Sequence, residues 1–135
     1  MFYLLDTNAV SDLLYLQPQM RVRVAAAFPG NVVITSIIVQ GEILFGIRRL
    51  PAGRRRDELE TRALGVFALA PPHPLPADAA ARFGDIKASC EQKGFALGDN
   101  DLWIATTAFS LDATVVTRDA DFARIAGLRV EDWTR

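Results

Sequence analysis

Three short runs constrain this chain more than anything else in it: Phe2-Tyr3-Leu4-Leu5, Val32-Val33-Ile34 and Thr114-Val115-Val116. Each is apolar or β-branched almost throughout, the profile of a strand covered on both faces, and stretches of helical length separate them. Strands that alternate with helices pair in parallel, because each crossover carries a helix over the sheet. In such sheets reactive groups lie beyond the carboxyl ends of the strands, where the strand order reverses. The residues just past each run are therefore where chemistry is expected.

Between the runs, Thr7 and Asn8 offer caps for a helix carrying Val10, Leu13, Leu14 and Leu16, and Pro18 punctuates it. A short helix is expected over 20–28, and Pro29-Gly30-Asn31 is a turn. Thr35 and Ser36 cap a helix reaching about residue 50, and Pro51-Ala52-Gly53 breaks it. A helix over 54–64, a short strand over 66–69 and a proline-rich loop holding His73 follow. The spacing then predicts helices over 77–93, stopped by Gly94, and from Gly98 through Leu111, with a weak last strand over 128–130. There is no internal repeat, and 135 residues at 14.8 kDa suit a single domain over 1–135.

Fifteen Lys and Arg against sixteen Asp and Glu leave a net charge of −1, which argues against a general coat for DNA. Nucleic acid held through a local patch or through metal ions stays open. The longest apolar run, 32–39, is interrupted by Thr35 and Ser36 and falls far short of the roughly 18 residues of a membrane helix. The first residues lack the basic start of a signal peptide, and Cys90 has no partner for a disulfide. A cytoplasmic protein with no membrane association is expected.

The acids carry the functional signal. Asp6 follows the first run directly, and Asp119 follows the third after Thr117, so the crevice rule places both on one edge of the sheet. Glu42 lies in IVQGEILFGI on a helix side shared with Ile38, Phe45 and Gly46, and no basic residue stands three or four positions away. Asp101 heads a stripe of Ile104, Ala105 and Ala108. Each acid also has an ordinary reading: Asp6 as a helix cap, Asp99 or Asp101 as helix N-terminal acids, Asp119 as an Asx-turn residue. Taken together they form an oxygen-only donor set, which suits Mg²⁺ or Mn²⁺ rather than Zn²⁺.

Four segments, LLDTNAVSDLL, SIIVQGEILFGIRRL, GDNDLWIATTA and VVTRDADFARIAGLRVEDW, occur in that order and together resemble the PIN-domain endoribonucleases of the VapC toxin type over nearly the whole chain. The resemblance implies a PIN-like α/β fold, a mainly parallel five-stranded sheet flanked by helices in three α/β/α layers. It implies metal-site acids at Asp6, Glu42, Asp101 and Asp119, with Asp99 and Asp121 as neighbours able to share those roles. Asp119 stands where many relatives carry Asn. Thr117 and Asn8 would orient the carboxylates. The implied activity is Mg²⁺-dependent cleavage of RNA by an activated water, with Mn²⁺ as a substitute, leaving a 5′-phosphate and a 3′-hydroxyl. The implied partners are a VapB-type antitoxin and a second copy of the chain.

Arg48, Arg49, Arg54, Arg55 and Arg56 cluster around the Pro51–Gly53 break, either as an RNA-contacting edge or as a solvated turn. Trp103 suits base stacking or core packing, Trp133 packing, and Leu13, Leu14 and Leu16 either core or a dimer surface. Two other functions compete. A haloacid-dehalogenase-like phosphatase needs a second Asp where Asn8 stands, and a lysine from Lys87 or Lys93, both in one amphipathic helix. A non-catalytic α/β binding module would use the acids only as caps.

Overall fold

The computed structural model describes residues 1–135. Its elements run β1 Phe2–Leu5, α1 Thr7–Leu14, α2 Pro18–Ala27, β2 Val32–Ser36, α3 Ile37–Arg48, α4 Arg54–Leu69, β3 Pro72–His73, α5 Ala79–Gln92, α6 Asp99–Leu111, β4 Ala113–Val116, a 3₁₀ turn Ala120–Arg124, and β5 Val130–Glu131. All five strands pair in parallel in the order β3-β2-β1-β4-β5, flanked by helices. The order reverses at β1: β2 lies on one side (Leu4 opposite Ile34) and β4 on the other (Leu5 opposite Val116). The crevice of this sheet therefore opens at the carboxyl ends of β1 and β4.

The three runs are central because they are apolar. Leu4, Leu5, Val115 and Val116 are fully buried, and Val10, Ile104, Ala105 and Ala108 pack into the same core from α1 and α6. The Thr35 hydroxyl donates to the Leu5 carbonyl at 2.7 Å, tying the end of β2 to the end of β1. Trp133 is buried with its ring 4.9 Å from that of Tyr3, and Trp103 stacks on Phe83 at 4.0 Å, so both tryptophans are packing residues. Leu13 and Leu14 are core as well, leaving Leu16 alone of the three exposed.

Several boundaries differ from expectation. Of the caps the sequence offers for α1, Asp6 takes the role and Thr7 and Asn8 lie inside the helix, since the Asp6 carboxylate accepts the Ala9 N–H at 2.8 Å. Pro18 opens α2 instead of closing α1, which suits a ring whose missing N–H is no loss in a first turn. Residues 66–69 are not a strand but the last turn of α4: Leu59, Ala63 and Val66 form one inward stripe at helical spacing, and Gly65 does not break it. The strand falls later, at Pro72–His73, inside the expected loop. It lies at the sheet edge, where a proline's missing donor goes unmissed. His73 Nδ1 contacts the Pro74 carbonyl at 2.6 Å.

Candidate active site

Asp6 continues β1 by one residue, its N–H donating to the Val116 carbonyl at 3.1 Å. That bond fixes its backbone at the switch point, and the cap to Ala9 aims its carboxylate across the start of α1. The side chain is only 2% exposed. Burial drives its pKa from 3.8 up to about 6, the Thr117 hydroxyl and the Ala9 N–H pull against that rise, and the charges of Asp101 and Asp119 add to it.

Thr117, buried just past β4, serves two acids. It stabilises the charged form of Asp6, and its oxygen accepts the Asp119 N–H at 2.9 Å. Asp119 in turn caps the 3₁₀ turn by accepting the Asp121 N–H at 2.9 Å. Asp101 sits in the first turn of α6, half-buried, and its pKa is raised by burial and then by Glu42, Asp119 and Asp121. Glu42 comes from mid-α3, and its Oε1 accepts the Thr7 hydroxyl at 2.9 Å. Asp6, Glu42, Asp101 and Asp119 thus belong to one electrostatic group drawn from separate segments.

The group is distinguished by what it lacks: none of the four acids takes part in an ion pair. The acids around them do. Asp99 is exposed and bound to Lys87 at 3.0 Å, Asp121 is exposed with Arg124 at 4.0 Å, and Asp12 holds Arg118 at 3.1 Å. Asp99 and Asp121 therefore differ from Asp101 and Asp119 in partner as well as in depth.

Two expected contributors sit differently. Asn8 lies half-buried in the first turn of α1, and its side chain makes no hydrogen bond to the acids; the hydroxyl that reaches one belongs to Thr7. Sequence reading missed this role because the partner of Thr7 is 35 residues away. The arginine cluster is exposed except for the part-buried Arg56, and it is largely engaged: Arg48 and Arg56 face Glu60 at 3.8 and 3.9 Å, and Arg54 holds Glu58 at 2.9 Å. Arg49 and Arg55 lie over the rings of Phe45 and Tyr15.

The donor chemistry fits a hard divalent cation. Every ligand atom on offer is a carboxylate or hydroxyl oxygen, the mutual repulsion is uncompensated by any basic group, and burial penalises Asp6 for staying charged. No three His, Cys, Asp or Glu side chains lie close enough together to hold a metal ion as they stand. Like charges gain nothing by closing on one another.

Comparison with known proteins gives the family. Residues 3–128 match the PIN domain family. The chain is 31% identical over 140 residues to Ribonuclease VapC1 of Haemophilus influenzae (strain R2866), covering all of both chains. It is 33% identical over 132 residues to VapC ribonuclease Y4jK of Sinorhizobium fredii (strain NBRC 101917 / NGR234), covering 93% of each. Among solved structures, VapBC2 from Rickettsia felis bound to a DNA fragment from their promoter superposes with a TM-score of 0.90 at 26% identity, over 98% of this chain and 99% of that one. VapBC-1 from nontypeable Haemophilus influenzae superposes at 0.86 with 27% identity over the whole of both chains. A parallel sheet with acids grouped at its switch point, matched over almost its full length, makes this chain a member of the PIN-domain family and, within it, of the VapC ribonucleases.

Proposed function

We propose that the chain is a metal-dependent endoribonuclease that acts as the toxin of a VapBC-type pair, hydrolysing RNA phosphodiester bonds to leave a 5′-phosphate and a 3′-hydroxyl. The observation that carries this reading is the contrast among the acids: four without a cationic partner share one crevice, while Asp12, Asp99 and Asp121 around them are paired. A fold that needed these carboxylates only as caps would have no reason to bury Asp6 beside two other negative charges.

In this reading Asp6 and Asp101 hold Mg²⁺, with Mn²⁺ as a substitute, while Glu42 and Asp119 position waters or a second ion. Bound there, the cation supplies an acidified water and a counter-charge for the phosphate. Thr7 holds Glu42 by its hydroxyl, and Thr117 favours the ionised form of Asp6 and braces the Asp119 backbone, the supporting bonds that set a carboxylate's angle. Arg48, Arg49, Arg54, Arg55 and Arg56 line an edge for the RNA backbone. Their exposed ion pairs are worth at most about 1 kcal/mol each, so a phosphate displaces them cheaply.

The solved relatives that are VapBC complexes support a VapB-type antitoxin as partner. An apolar depression of about 360 Å³ between α2 and α4, lined in part by Leu16, Phe28, Val66 and Leu69, offers a partner apolar surface away from the acids. The chain works in the cytoplasm, as a homodimer. A phosphatase of the haloacid-dehalogenase type is less well supported, since Asn8 carries no carboxylate and Lys87 is paired with Asp99.

The test is incubation of the purified chain with a mixed RNA pool and Mg²⁺, mapping the cut ends. Cleavage abolished by EDTA and by either Asp6→Asn or Asp101→Asn is expected. Cleavage indifferent to all three would defeat the proposal.

A further inference from the structure

Helix α3 is apolar on more than its inner face. Val39, Ile43 and Ile47 pack into the core, yet on the other side Ile37 is 41% and Phe45 67% exposed. Ile37, Gly41, Phe45 and Arg49 succeed one another four residues apart, so they form one line along the helix, with Ile38 and Glu42 beside it. Asn100, from the first turn of α6, stands across from this line and completes a depression of about 360 Å³. The Arg49 guanidinium lies 5.6 Å over the Phe45 ring at the far end. Burying a Phe side chain is worth about 1.5–3 kcal/mol, so a ring left in water beside a polar crevice is not accounted for by this chain's own packing.

We infer that this depression seats an unpaired nucleobase next to the scissile phosphate, stacked on Phe45 and met at its edge by the Asn100 amide. The inference rests on the ribonuclease reading and names how the same site grips its substrate. Glu42 is decisive, since it lines the depression and also belongs to the acid group, so an occupant there lies beside the reacting phosphate. Its negative charge turns away a bare phosphate and leaves the flat, neutral part of a nucleotide as the group that fits. An aromatic face, an amide with donors and an acceptor, and a guanidinium for the adjoining backbone are the elements by which single-stranded RNA is held.

The experiment uses Phe45→Ala, Phe45→Trp and Gly41→Leu. A Cβ at Gly41 would meet no atom within 4 Å, so a larger side chain starts there into open space, and Phe45 is too exposed for its truncation to unfold the chain. Binding is read in Ca²⁺ with single-stranded RNA oligonucleotides carrying 2-aminopurine, whose fluorescence reports stacking. A second series places an abasic nucleotide at each position in turn. Stacking is worth about 1–3 kcal/mol per base, so Phe45→Ala and Gly41→Leu are expected to weaken binding roughly 5- to 150-fold and abolish the quench, while Phe45→Trp keeps both.

Removing one particular base should weaken the wild type by the same factor and Phe45→Ala no further, a coupling that a merely structural role for Phe45 would not produce. Unchanged binding by Phe45→Ala, losses that add independently of every abasic position, or a wild-type dimer that Phe45→Ala converts to monomer in sedimentation would overturn the proposal, the last assigning the stripe to a second copy of the chain. A wild type that quenches 2-aminopurine through Phe45 yet cuts no RNA would uphold the base seat and remove the ribonuclease reading alone.

Discussion

Asp6→Asn should make the metal-free protein more stable, not less. The carboxyl is buried with no cation beside it, and its pKa stands at about 6 instead of 3.8. Between those values the folded chain keeps a proton that the unfolded chain releases, so wild-type stability in EDTA falls as the pH rises through this window and then levels off. The loss approaches about 3 kcal/mol, at about 1.36 kcal/mol per pH unit of difference. Asparagine is neutral throughout, and its side-chain oxygen can still accept the Ala9 N–H that caps α1. At pH 8 the variant should therefore exceed the wild type by up to about 3 kcal/mol, a Tm raised by up to roughly 10 °C in a chain of this size. The gap should close as the pH falls towards 4. Saturating Mn²⁺ should stabilise only the wild type, by about 2.7 kcal/mol at 100 times Kd, cancelling most of the difference. Thermal melts followed by circular dichroism from pH 4 to 8, in EDTA and in Mn²⁺, measure all of this. A variant less stable than the wild type at pH 8 in EDTA, or a gap that does not change with pH, would refute the reasoning.

Thr7→Val, which frees Glu42 without touching an acid, should slow RNA cleavage about 10- to 100-fold while shifting the melting transition little. Asp99→Asn should retain cleavage within about twofold where Asp101→Asn loses about 100-fold or more, because only the latter lies in the unpaired group; rates on one RNA substrate decide it. Replacing Arg54, Arg55 and Arg56 together by Gln should flatten the salt dependence of RNA binding by about 0.7 for each phosphate they neutralise, read from a plot of log K against log[salt]. Ile104→Ala, in the core behind the site, should cost about 2–5 kcal/mol in urea denaturation.

What could be read from the sequence was whatever depends on short-range pattern. The apolar runs at Leu4–Leu5 and Val115–Val116 announced a buried parallel sheet, and from that the crevice rule placed Asp6 and Asp119 on one edge. Asp101 was legible from the stripe it heads, and Asp99 could be told from it only once Lys87 was found at its side. Residues 66–69 misled because four apolar residues before a proline pair fit a strand and a last helical turn equally well, and only the packing of Leu59 and Ala63 beneath them decides. Thr7 was hidden for a different reason. A hydroxyl's partner 35 residues away leaves no local trace, whereas its neighbour Asn8 looked the better polar candidate.

That the centre of the sheet joins the first strand to the fourth has a consequence for how such a chain is made. Until residues 113–116 dock against 2–5, and Thr117 arrives behind them, Asp6 has neither its wall nor its companions. A polypeptide that stops short of residue 113 thus lacks the long-range pairing on which the grouping of Asp6 with Asp119 depends, however complete its local helices are.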